Sequence, residues 1–90
     1  MIVWSRRVVL PDAIAAAALH VHDGKIAAIE QSDAPPDGPD VLIAGELVVL
    51  RGLVDTHVHI NEPGRSHWEG FATATRAAAA GGVTTLVDMP

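Results

Sequence analysis

The ninety-residue sequence predicts an α/β fold in two parts: a β-rich stretch over residues 1–51, read as a portion of a small β-sandwich, and a βαβ unit over residues 52–90. Three observations carry this reading. Asp23-Gly24 stands between two apolar segments, the strongest short-range hairpin signal, because a type I′ turn needs positive φ at both central residues. Several more short apolar runs crowd the first fifty residues, broken by turn formers, as in small all-β units. Finally, two runs rich in β-branched residues, 53–60 and 83–89, flank a segment with helical periodicity. Parallel strands need such a crossover, which is right-handed in nearly all proteins.

Each element follows from its residues. Ile2 to Leu10 reads as a strand stopped by Pro11-Asp12. Ala13 to Ala18 favours helix by propensity, but Leu19-His20-Val21-His22 alternates with strand period into the Asp-Gly turn. Residues 16–22 and 25–30 are therefore the expected hairpin arms. His20 and His22 alternate with Leu19 and Val21 beside the turn and read as surface histidines of a half-solvated strand. Gln31 to Asp40 is dense in turn formers and reads as a surface loop. Val41-Leu42-Ile43 and Glu46 to Leu50 read as two short strands around a turn at Ala44-Gly45.

The second part opens on Gly52 and a buried strand, Leu53 to Ile60, that runs into the loop Asn61-Glu62-Pro63-Gly64. Strand alternation sends Leu53, Asp55, His57 and His59 to one face and Val54, Thr56, Val58 and Ile60 to the other. Two imidazoles and a carboxylate on a strand fit for burial need a partner, and a metal cation supplies one. His57 and His59 are the candidate metal ligands. They stand at the C-terminal end of the strand, where β/α enzymes build their sites. Ser66 and Glu69 have the spacing of a capping box. The expected helix runs from His67 to Ala80, with Trp68 and Phe71 packed in the core and Gly81-Gly82 as its stop. Val83 to Met89 reads as a second buried strand.

Composition limits the functional classes. A net charge of −5, with six scattered Lys and Arg, gives no basic footprint for nucleic acid. No cysteine is present, so no disulfide framework exists. The opening Met-Ile-Val-Trp-Ser-Arg-Arg has no secretory pattern, and no apolar run reaches the ~20 residues of a membrane span. A soluble cytoplasmic protein is expected.

Asp55-Thr56-His57-Val58-His59-Ile60-Asn61-Glu62-Pro63-Gly64-Arg65, followed by Ser66-His67-Trp68-Glu69-Gly70 and by Gly81-Gly82-Val83-Thr84-Thr85, resembles the start of the catalytic barrel in the cyclic amidohydrolases, most closely its allantoinase branch. Dihydroorotases and hydantoinases are the sister branches. The likeness extends more loosely over the N-terminal half. It implies a metal-dependent TIM-like β/α barrel, here incomplete because such a barrel needs ~250 residues. The sandwich beside it would be built from both chain ends. The resemblance also implies a binuclear site, usually zinc, at which hydroxide attacks the ring amide of a cyclic ureide, with His57 and His59 on the more buried metal. Asp55 would be a catalytic residue that orients a ligand rather than binding metal; anchoring of the strand is the alternative. The remaining ligands, a carboxylated lysine, two histidines and an aspartate, would come from later strands.

Asn61 is the candidate substrate-binding residue. Dihydroorotases typically carry arginine there to grip a carboxylate that allantoin lacks. Loop capping by Asn61 and a solvated charge at Arg65 are the competing readings. Arg51 departs from the family, which usually has proline before the glycine, and the change would loosen the junction without removing a ligand. The partner expected is a small cyclic ureide, with no nucleic acid or membrane, and a homo-oligomer is expected of the complete protein. Dihydroorotase or hydantoinase chemistry, a non-catalytic scaffold of the same fold and an inactive truncated product are the alternatives.

Overall fold

A computed structural model describes residues 1–90, which form two compact units, Met1–Arg51 and Gly52–Pro90. The first is one four-stranded sheet of β1 (Ile2–Val9), β2 (Ile14–His22), β3 (Lys25–Gln31) and β4 (Val41–Val49), in the order β3-β2-β1-β4. β1 pairs antiparallel with β2 and parallel with β4, and β2 pairs antiparallel with β3. The hairpin expected at Asp23-Gly24 is present, with φ of 49° and 71° at the two residues. The alanine run belongs to β2. Pairing on both sides of this strand outweighs its intrinsic helical preference, as tertiary context commonly does.

Burial explains why small residues suit that central position. Val8, Ala17 and Leu19 form the core cluster, edged by Val3, Leu10 and Val49. Ala18, one residue out of phase, belongs to the other face, where its register partner Trp4 is only 3% exposed. The Trp4 indole N–H donates to the Ser32 carbonyl at 2.9 Å, so its polar edge is satisfied despite burial. Ser5 is fully buried; its hydroxyl donates to the Leu47 carbonyl at 2.6 Å and accepts the Arg7 N–H at 2.9 Å.

One expectation for this unit is corrected. Residues 41–49 are one strand rather than two around a turn, because Gly45 at φ 62° absorbs a register shift within β4 instead of reversing the chain. The unit is a single sheet, a β-rich piece as expected, and β3 is exposed along its whole length.

The second unit contains β5 (Leu53–Val58), α1 (Phe71–Ala80) and β6 (Val83–Asp88), with β5 and β6 parallel. β5 stops two residues earlier than expected, at Val58, and is exposed rather than buried from Leu53 to His57. α1 lies against β6 but buries no residue. It starts at Phe71 rather than His67: Ser66–Trp68 form a separate turn, and the first helical amide is held by Glu62, whose Oε2 accepts the Phe71 N–H at 2.8 Å. Trp68 and Phe71, expected in the core, are 65% and 46% exposed. Where β5 approaches β6, Gly52 lies so close to Thr84 that a Cβ there would overlap its side chain.

Candidate active site

The ends of the two parallel strands are clasped together. Ile60, buried to 3% exposure, donates its N–H to Asp88 Oδ1 at 2.9 Å, and the Met89 N–H donates to the Val58 carbonyl at 2.8 Å. His59 is thus held between two anchored neighbours, with His57 two residues back in β5. Their rings stand with centroids 5.2 Å apart and planes at 66°, both side chains exposed. Two imidazoles sharing one tetrahedral cation, with metal–nitrogen bonds of about 2.0–2.1 Å, also have ring centres roughly 5 Å apart. The pair therefore has a spacing compatible with two ligands of one metal. No third His, Cys, Asp or Glu joins them in a group able to hold one.

Asp55 has a different partner from the one an imidazole-orienting residue would have. Its Oδ1 accepts the backbone N–H of His57 at 3.2 Å, a local bond that fixes the peptide carrying the first histidine. Asn61 sits at φ 65° and donates Nδ2 to the His59 carbonyl at 3.2 Å. Its backbone carbonyl accepts the Arg65 N–H at 2.8 Å, which closes the loop after a cis Glu62-Pro63 peptide.

This loop and the strand ends border a cleft of about 620 Å³, whose wall includes His59, Asn61, Glu62, Arg65 and Asp88. It brings one of the histidines together with Asn61, whereas His57 and Asp55 are not on its wall. Asp55 and His59 instead border a smaller cleft of about 270 Å³ shared with α1 and β6. His20 and His22 belong to the other unit, 3.4 Å from Glu30 and 3.3 Å from Asp23 respectively, as surface histidines of the hairpin.

Two residues that shape the site were missed in the sequence. Glu62 gave no signal, because its partner lies across an irregular turn. Asp88 is the one charged residue of β6, and its carboxylate accepts the Ile60 amide N–H.

Residues 46–90, half of the chain, match the dihydro-orotase-like family. The chain belongs to that family. Among individual relatives, an allantoinase of Streptomyces avermitilis is 57% identical across all of this chain and 20% of its own length. An allantoinase of Escherichia coli O1:K1 is 51% identical across all of this chain and 19% of its own. A protein named mitochondrial allantoinase from Aquarana catesbeiana is 46% identical over 99% of the chain and 19% of its own. The chain thus spans about a fifth of the length of the curated relatives it matches. The family membership agrees with the amidohydrolase resemblance carried by the segment from Asp55 to Arg65. No helix is long and apolar enough to cross a membrane.

Proposed function

We propose that this chain is the N-terminal portion of a zinc-dependent cyclic amidohydrolase that opens the ring amide of allantoin to give allantoate. The observation that carries the reading is the His57–His59 pair at the exit of β5, with ring centroids 5.2 Å apart. The allantoinase relatives support the choice of substrate, as does Asn61 at the position where dihydroorotases use arginine for a carboxylate.

In this reading β5, α1 and β6 are the first βαβ unit of a TIM-like barrel, whose later strands bring the other ligands and the second metal. His57 and His59 hold one zinc through their imidazole nitrogens. Bound zinc supplies a nucleophile at neutral pH by lowering the pKa of water, and polarises the amide carbonyl. Asp55 keeps the His57 peptide in register through the bond to its amide. Asn61, with Nδ2 held by the His59 carbonyl, has Oδ1 left to accept a ureide N–H.

The test uses the complete protein carrying this segment. His57→Ala and His59→Ala each abolish ring opening and lower the zinc content per chain, while His20→Ala and His22→Ala change neither. Full activity in the His57 variant sinks the assignment.

A further inference from the structure

Opening a cyclic amide changes the charge of the bound molecule. Water adds across the C–N bond, hydroxyl to the carbonyl carbon and one proton to the departing ring nitrogen, and the carboxylic acid then releases a proton. A neutral ring becomes an anion. A cleft that runs this reaction must hold a carboxylate at its end, although nothing in the substrate calls for a cation.

Arg65 is the one cationic residue on the wall of the 620 Å³ cleft. The two nearby carboxylates are committed to the backbone: Glu62 accepts the Phe71 N–H at 2.8 Å, and Asp88 accepts the Ile60 N–H at 2.9 Å. Arg65 makes no ion pair with either, nor with any other acid of the chain. Its guanidinium stands 4.7 Å from the centroid of the Trp68 ring. Stacking on an aromatic face leaves the guanidinium fork free to bind a carboxylate through two parallel hydrogen bonds. The backbone beneath is fixed as well. The Arg65 N–H donates to the Asn61 carbonyl, and the Arg65 carbonyl accepts the Trp68 N–H, both at 2.8 Å. The exposure of Trp68, unexplained by core packing, is accounted for if the indole is a platform for this cation.

We infer that Arg65, supported by Trp68, is the anion-holding group of this cleft and takes the carboxylate released when the ring opens. The inference rests on the proposed amidohydrolase function and adds to it a residue that distinguishes product from substrate.

The experiment uses the complete zinc-loaded protein and measures KM for allantoin, the inhibition constant of allantoate and direct binding of allantoate by calorimetry. Arg65→Gln weakens allantoate about tenfold, the scale of a lost charge-assisted hydrogen bond at an exposed site. It raises KM for the neutral ring by a clearly smaller factor. Arg65→Lys recovers part of the loss, as a point charge without the fork does. Trp68→Leu weakens allantoate about two- to threefold, the scale of an exposed cation–π contact. Arg76→Gln on α1 removes the same charge from a residue that does not line the cleft and leaves both constants alone. An inhibition constant unchanged in Arg65→Gln, or matched by an equal change in KM, overturns the inference. If the unaltered protein opens no allantoin, the proposed function fails by itself. Calorimetry with allantoate still decides Arg65, because binding that weakens in Arg65→Gln supports the inference and binding indifferent to the substitution overturns it.

Discussion

The two units divide burial and chemistry between them. Met1–Arg51 holds Trp4, Ser5, Val8, Ala17, Ala18 and Leu19, every fully buried residue but one, yet its histidines only meet surface acids. Gly52–Pro90 holds the paired imidazoles, Asp55 and the cleft, yet its single buried residue is Ile60. Four strands with a filled centre can carry their own stability; a two-stranded pair gains little when its helix buries no residue. The side chains suited to catalysis therefore sit on the unit less able to fold alone. Strand β5 is exposed from Leu53 to His57.

The sharpest way to break this comparison is to ask the ninety residues for the chemistry. They should not open allantoin, and zinc should bind weakly, since two imidazoles leave a tetrahedral site half filled. A cooperatively melting ninety-residue chain that turns over allantoin would dissolve the division. Stability should respond in the opposite unit. Trp4→Ala should cost about 3–5 kcal/mol by removing the largest buried side chain of the first sheet, measured by denaturant unfolding of the complete protein. Zinc content per folded chain should stay the same, and a proportional loss of both would show the units to be coupled.

Amide exchange sharpens the contrast at residue level. Protection at β1 and β2 should exceed that at β5 and β6 in the ninety-residue chain, because the former lie beneath packed side chains and the latter are open to water. Equal protection would mean that the second unit is held by something other than its own core. Smaller again is Asp55→Asn, which should lower zinc affinity or activity by about 10–100-fold in the complete protein. The melting temperature should fall by less than in Trp4→Ala. The smallest effect expected on stability is that of Ser5→Ala, about 1–3 kcal/mol, from leaving the Arg7 amide without its buried acceptor.

Much of this was legible in the residues, and what was not has a physical cause. The Asp23-Gly24 turn could be read because few dipeptides tolerate positive φ twice in succession. The existence of β5 could be read from its β-branched run, though not its end at Val58 or its exposure, and the stop at Gly81 could be read as well. The start of α1 could not. Ser66 and Glu69 offered a local cap, but the chain uses Glu62, from the far side of the turn, and local spacing cannot register a bond made across a loop. The alanines of β2 hid only where that strand begins, at Ile14 rather than Ala16, since propensity speaks for a residue alone and β2 is decided by two neighbouring strands. Gly45 looked like a turn because a bulge and a turn ask for the same positive φ. The aromatic positions Trp68 and Phe71 had the period of a packed face, but the first of them precedes the helix and stacks with Arg65 instead.

The close approach of Gly52 to Thr84 has a consequence for how this chain can vary. The two positions, distant in sequence, share one volume: a methyl group at 52 overlaps the Cβ as well as the branches of Thr84, so turning the threonine side chain does not make room for it. The pair should therefore vary as a single heritable character: an alanine at 52 should be found with glycine at 84, and a lineage that enlarges the first residue before reducing the second should pass through a poorly folding ancestor.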